Sequence, residues 1–316
     1  MRILLWHVHA AWTTPFVHGR HEYLLPVTPD RGPDGRGRAR TYVWPDSAIE
    51  VTREEAAEAD VDVVVLQRRE ELDGLAEAWL GGRRPGRDIP AVFLEHNAPQ
   101  GRINELRHPA ADRDDLLLVH VTHFNELFWD AGSTETVVID HGIVDPGHLY
   151  TGELPRAAVV VNEARRRARV TGTDLFGRLN GDVPLDLFGI DAENAGPHVT
   201  PVADLPHAHL HAEIARRRVY LHTIRWTSLG LSLLEAMHLG MPVVALATTE
   251  VPMAVPPQAG VVSTDVRVLR EGLARLVADP DEARARGEAA RAAALERYGL
   301  QRFLDDWDRV LERVAR

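Results

Sequence analysis

With 316 residues, 45% hydrophobic and 26% charged, the chain has material for two domains of roughly 150 residues each. A formal net charge of −11 argues against a protein that wraps nucleic acid, whose phosphates demand a basic face. Cysteine and lysine are both absent, which excludes disulfides, thiolate metal sites and a cysteine nucleophile, and leaves fixed positive charge to arginine, histidine or a helix N-terminus.

In chain order, ILLWHV (3–8) reads as a buried first strand. It has one basic residue before it and no small-residue cleavage site behind it, so the chain is expected to be cytoplasmic. FVHGRHEYL (16–24) follows, and then PDRGPDGRGRAR (29–40), an arginine-rich loop by its Gly and Pro content. That loop would suit an anionic acceptor or peripheral membrane contact, although a solvated loop needs neither. EEAAEA (54–59) reads as a helix, and DVVVLQ (62–67), AVFLEH (91–96), LLLVHV (116–121) and TVVID (136–140) as strands, with NELFWDAG (125–132) as a further helix. DPGHLYTGELPR (145–156) has the composition of a linker. AAVVVN (157–162), LDLFGI (185–190), RVYLHT (218–223) and PVVALA (242–247) repeat the strand theme, and helices are expected over 266–277, 281–297 and 300–316. In the last, Phe303, Leu304, Trp307, Val310, Leu311 and Val314 recur at three and four, an apolar stripe that must pack on something. No apolar run reaches the ~18 residues of a membrane span. The alternation predicts an α/β protein of two Rossmann-like doubly wound parallel-sheet domains.

The chemistry concentrates in TSLGLSLLEAMHLGMPVVALA (227–247). Leu229 to Leu239 has helical periodicity, Gly240 supplies a left-handed stop, and Pro242 opens a strand. Gly230 beside Thr227 and Ser228 leaves backbone amides open at a helix start, which favours a phosphate. Glu235, about a turn further in, can accept from a ribose diol. The purely structural alternative is a Ser232–Glu235 capping box.

This segment resembles the donor-site motif of the retaining group-1 (family four) glycosyltransferases, in which a Glu-x7-Glu pattern runs into Glu-Ala-Met and then Gly-x-Pro-Val-Val. Gly230, Leu231, Leu233, Leu234, Glu235, Ala236, Met237, Gly240, Pro242, Val243 and Val244 match. The resemblance implies a GT-B fold: an acceptor-side domain over 1–150, a nucleotide-sugar domain over 151–299, and a helix over 300–316 crossing back to the first. It implies retaining transfer from a nucleotide-diphosphate sugar to a hydroxyl acceptor, with the donor in the cleft between domains and no metal or other cofactor. Glu235 would hold the ribose, and amides at Ser228, Leu229, Gly230 and Leu231 the diphosphate. The first glutamate of the pattern is Thr227 here, which can bind a sugar hydroxyl but cannot stabilise positive charge. Glu250 of TTEVP is the candidate to replace it.

Counting back from Gly172 and Asp174, Arg166 falls on the family's phosphate arginine and Thr171 on its lysine, so Arg169 or Arg167 is expected to assist. HGIVD (141–145) is similar to the family's Asn-Gly-Val-Asp, with His141 replacing asparagine. Gly19 is the match for a glycine under the donor phosphates. His96, ending a central strand, is placed to contact the donor sugar or orient the acceptor, or to cap its strand structurally. The alternative to catalysis is a nucleotide-sugar-binding partner subunit that keeps the fold. The pairs His7/His9 and His120/His123 and the cluster His207/His209/His211 invite a metal reading, but the favoured account of 207–211 is a polar entry to a helix, with no metal site.

Overall fold

The computed structural model describes every residue except Ala203. The chain divides into two compact units, Met1–Val144 with Leu300–Arg316, and Asp145–Gly299.

The first unit is built on seven strands: β1 (Arg2–Leu5), β2 (Glu22–Pro26), β3 (Ala48–Val51), β4 (Val63–Leu66), β5 (Ala91–Glu95), β6 (Leu117–His120) and β7 (Glu135–Val138). All pair in parallel in the order β3-β2-β1-β4-β5-β6-β7, so the order reverses between β1 and β4. The second unit has β8 (Leu154–Val160), β9 (Leu185–Phe188), β10 (Thr200–Pro201), β11 (Arg217–His222), β12 (Val243–Leu246) and β13 (Gly260–Ser263), in the order β10-β9-β8-β11-β12-β13. These too are all parallel, with the reversal between β8 and β11. Both are doubly wound sheets of the GT-B kind.

Parallel strands covered on both faces read as continuous apolar runs. Accordingly β4 (VVVL), β5 (AVFLE) and β6 (LLVH) are buried throughout and lie where their runs predict them. The strands that sequence patterning passes over are mainly marginal. β3 is buried only at its two ends, β10 is two exposed residues ending in Pro201, and β13 is half-buried. β2 is buried, but it follows the His- and Arg-bearing stretch 18–21. The loop 29–40 is held from within. Arg31 grips Glu50 through both guanidinium nitrogens (2.7 and 2.9 Å), and Arg38 donates to the carbonyls of Trp44 (2.6 Å) and Pro45 (2.9 Å).

The helix Leu300–Val314 lays its apolar stripe on the first unit. Trp307 meets Trp12 and Phe16 edge to face, with centroids 5.6 and 5.0 Å apart. Gly142 is obligatory here, because a Cβ would lie 2.4 Å from Phe303 Cβ. Polar ties flank the stripe: Asp308 takes Arg20 and His21 at 2.9 Å each, and Arg302 donates to the Asp140 (3.1 Å) and His141 (2.5 Å) carbonyls. Among the described residues no helix is long and apolar enough to cross a membrane.

Candidate active site

In doubly wound sheets ligands bind at the carboxyl ends of the strands, near the reversal in strand order. In the second unit β11 ends at His222, and the loop after it leads into the helix Leu231–Leu239. Gly230 is the N-cap and no side chain caps the helix start. Gly230, Leu231 and Ser232 are partly exposed, while Ser228 and Leu229 are buried beneath them. The helix start thus presents backbone N–H groups and the positive end of a dipole, the pair of features that gathers a phosphate. Gly230 has an ordinary backbone (φ −71°), so its need for glycine is steric: a Cβ would lie 2.6 Å from His222 Cε1. Gly240 ends the helix in the left-handed conformation (φ 88°).

Glu235 is not part of a capping box. Ser232 lies inside the helix and its hydroxyl accepts from Tyr220 OH at 2.9 Å. The Glu235 carboxylate instead meets two histidines of the helix His207–Ile214: His207 Nε2 is 3.0 Å from Oε1 and His211 Nε2 is 3.6 Å from Oε2. Burial alone would raise this carboxyl, but the two histidines overcome it and pull it down to about 2. Glu235 is therefore an ionised acceptor, and 3.6 Å is too long for a hydrogen bond, so Oε2 keeps capacity for a ligand hydroxyl. The 207–211 stretch is more than a polar helix entry. Its helical spacing puts His207 and His211 on one face, at i and i+4, and leaves His209 exposed. That spacing was the available signal, although it does not name Glu235 as partner.

The arginines expected to clamp a diphosphate have carboxylate partners. Arg166 is exposed and paired with Glu163 (Nε–Oε1 2.7 Å), and Arg169 pairs with Asp174 (3.0 Å). The sequence reading missed Arg225, which takes both Asp174 oxygens (2.5 and 3.0 Å) and the Arg169 carbonyl (2.9 Å), fixing the turn after β8 to the loop after β11. Gly172 (φ 73°) belongs to the same junction, where a Cβ would collide with the Thr223 carbonyl. Thr171 is buried and gives its carbonyl to Thr223 Oγ1 at 2.8 Å. Thr227 is half-buried. Glu250, also buried, precedes the short helix Val251–Ala254 and is paired with Arg297 at 3.1 Å.

In the first unit His96 follows β5 and is buried. Its Nε2 donates to Gln67 Oε1 (2.8 Å), and Gln67 Nε2 donates to the Trp6 carbonyl (2.7 Å). Gln67 follows β4 and Trp6 follows β1, so this web spans the reversal in strand order. Trp12 and His9 stand edge-on to the His96 ring, with centroids 5.1 and 4.7 Å away. Burial, with His9 and His141 nearby, holds His96 well below the usual histidine range.

Gly19 requires correction as a phosphate-loop residue. The helix Ala10–Val17 separates it from β1, and Glu22, three residues on, pairs with Arg2 at the start of β1. Gly19 thus lies at the amino-terminal edge of the sheet, where a Cβ would meet Tyr23 OH at 2.2 Å and Leu304 Cδ2 at 3.3 Å. It is a packing glycine. His7, whose Nδ1 is 2.9 Å from the Gly37 carbonyl, and His120, which is buried while His123 is exposed, take part in no three-ligand group among the described residues.

Residues 189–293, which include β11, the 231–239 helix and Glu235, match the family model described as glycosyl transferases group 1. No curated protein matches the sequence significantly. Solved structures resemble the fold over almost the whole chain. Sucrose-phosphate synthase from Thermosynechococcus elongatus has a TM-score of 0.72 at 15% identity, covering 99% of this chain and 98% of its own. HepE of Anabaena, solved with UDP, has 0.71 at 14%, covering 99% and 100%. A glycosyltransferase of Rickettsia africae has 0.68 at 12%, covering 99% and 98%. The chain therefore has a GT-B-type fold of two parallel α/β units. Within that fold, its segment 189–293 is similar to the group-1 glycosyltransferases.

Proposed function

We propose that the chain transfers a sugar, with retention and without a metal in the transfer step, from a uridine diphosphate sugar to a hydroxyl acceptor. The carrying observation is the uncapped helix start at Gly230, with the ionised Glu235 one turn inside it, within the span matched to the family. UDP or UDP-glucose in the HepE structures, and UDP in those of the pneumococcal O-GlcNAc transferase GtfA, support uridine as the base.

In this reading the diphosphate sits on the amides of Leu229 to Leu231, and Arg166 and Arg169 exchange their carboxylate partners for phosphate oxygens. Each such preorganised donor is commonly worth on the order of 10²–10³ in rate. Thr227 offers the sugar a hydroxyl, and the charge of Glu250 is already answered by Arg297. Stabilisation of the positive sugar then falls mainly to the departing diphosphate. His96, a neutral imidazole whose Nε2 donates to Gln67, carries its lone pair on Nδ1 and is the acceptor-side candidate.

Calorimetry with UDP-glucose tests the assignment. Glu235→Ala is expected to weaken binding roughly 10- to 100-fold, the worth of hydrogen bonds to a charged group. Unchanged affinity would remove Glu235 from the donor site. Transfer or slow donor hydrolysis should survive EDTA, and activity that returns only with Mg²⁺ would contradict the metal-free step.

A further inference from the structure

We propose that His207, His211 and Glu235 form a binding site for one zinc-class divalent cation, and that its occupancy excludes the nucleotide-sugar donor. The second clause rests on the proposed role of Glu235.

The three side chains offer two imidazole nitrogens and one carboxylate, with ligand atoms all within 4.8 Å of one another. A tetrahedral ion with metal–ligand bonds of about 2.0–2.2 Å places neighbouring ligand atoms about 3.3–3.6 Å apart. His207 Nε2 stands 3.0 Å from Glu235 Oε1 and His211 Nε2 3.6 Å from Oε2, so each imidazole already lies near that separation from one carboxylate oxygen. The His207 and His211 ring centroids are 4.1 Å apart, so small rotations bring both nitrogens to a common centre.

A second, independent observation points the same way. His211 is 5% exposed, and its Nε2 is buried without a hydrogen-bond partner, aimed at Glu235 Oε2 across a gap too long to be a bond. A buried polar nitrogen left in this state costs stability that a bound ion would recover. Two imidazoles and a carboxylate are a donor set for zinc or a neighbouring transition metal, whereas magnesium and calcium take oxygen ligands. His207, with its side chain 27% exposed, leaves one side of the cluster open to solvent for a fourth ligand and for entry.

The site shares its carboxylate with the proposed ribose contact. A Glu235 whose oxygens are drawn onto a cation cannot also accept from a ribose diol, so cation and donor compete. Zinc is then an inhibitor of transfer rather than a participant, which agrees with a metal-free reaction.

The test uses the full chain, stripped with chelator and titrated calorimetrically with Zn²⁺ alone and, separately, Mg²⁺ alone. One tight Zn²⁺ equivalent without a Mg²⁺ response is expected. Losing even an outer partner of a metal ligand costs roughly 10- to 100-fold in affinity, so His207→Ala and His211→Ala should each lose at least that much. His207 is partly exposed, so H207A keeps the test open should H211A fail to fold. Zn²⁺ affinity unchanged in H207A, or a Mg²⁺ response equal to that of Zn²⁺, overturns the site. UDP is then titrated with and without saturating Zn²⁺. Weakened UDP binding in the wild type but not in H207A supports competition. Zn²⁺ bound at the cluster with UDP affinity unaltered leaves the metal site standing and overturns the competition, and UDP affinity equally unaltered in E235A places the failure in the donor assignment.

Discussion

The two sheets share a strand order around their reversal points yet fill those points differently, although each unit also buries histidine nitrogens without partners, His120 and His141 in the first and His211 in the second. In the first unit the chain Trp6–Gln67–His96 links three strand ends in a closed web packed by Trp12 and His9. In the second, the corresponding region leaves a helix start without a side-chain cap and a histidine nitrogen without a partner. A polar group whose hydrogen bonds are complete specifies structure, whereas one left incomplete is a place for a ligand. One topology therefore places a hydrogen-bonded web at the reversal point of one unit and an uncapped helix start at that of the other.

The largest expected effect breaks the web from behind. Trp307→Ala removes the ring wedged against Trp12 and Phe16 and should cost roughly 3–5 kcal/mol, read as a lower denaturation midpoint. An unchanged midpoint would mean that the 300–314 helix contributes little to the first unit. Acid acts on both regions. His141 in the first unit and His222 in the second are each held down to about 4 by burial, against about 6.5 in an unfolded chain. Because the folded pKa is the lower, their contribution is full above pH ~6.5 and is lost as pH falls towards 4, on the order of 2–3 kcal/mol per ring. His222→Phe should flatten part of that decline in a pH series of thermal melts, and an unaltered slope would show that His222 does not drive it.

A smaller effect sharpens the contrast. Gln67→Leu removes the partner of His96 Nε2 and one of the two donors to the Trp6 carbonyl, which keeps the Val8 N–H at 3.0 Å, and should cost about 1–3 kcal/mol, with UDP affinity unchanged because the proposed donor features lie in the second unit. Loss of UDP binding in a folded Q67L variant would break the division of roles. The smallest change is Arg20→Ala, which removes an exposed ion pair to Asp308 and Glu312 and should cost less than about 1 kcal/mol, fading in high salt.

The central strands, the 231–239 helix and the closing helix were all legible, because each carries a long apolar period with its own stop signal. What was not legible depends on partners distant in sequence. Nothing local announces that Glu235 meets residues twenty-eight and twenty-four positions away, or that Arg225 crosses to Asp174. Gly19 misled for the converse reason: a glycine near a first strand looks the same whether it makes room for a phosphate or for the Tyr23 hydroxyl. The edge strands β3, β10 and β13 escaped notice because partial exposure breaks the apolar run that marks their buried neighbours.

The first unit is interrupted by the second and resumes only at Leu300. During synthesis, Trp12 and Phe16 therefore wait without their cover while the whole intervening unit is made, and the order of completion inverts the order of translation. A nascent chain paused anywhere between residues 145 and 299 carries that aromatic surface without its lid.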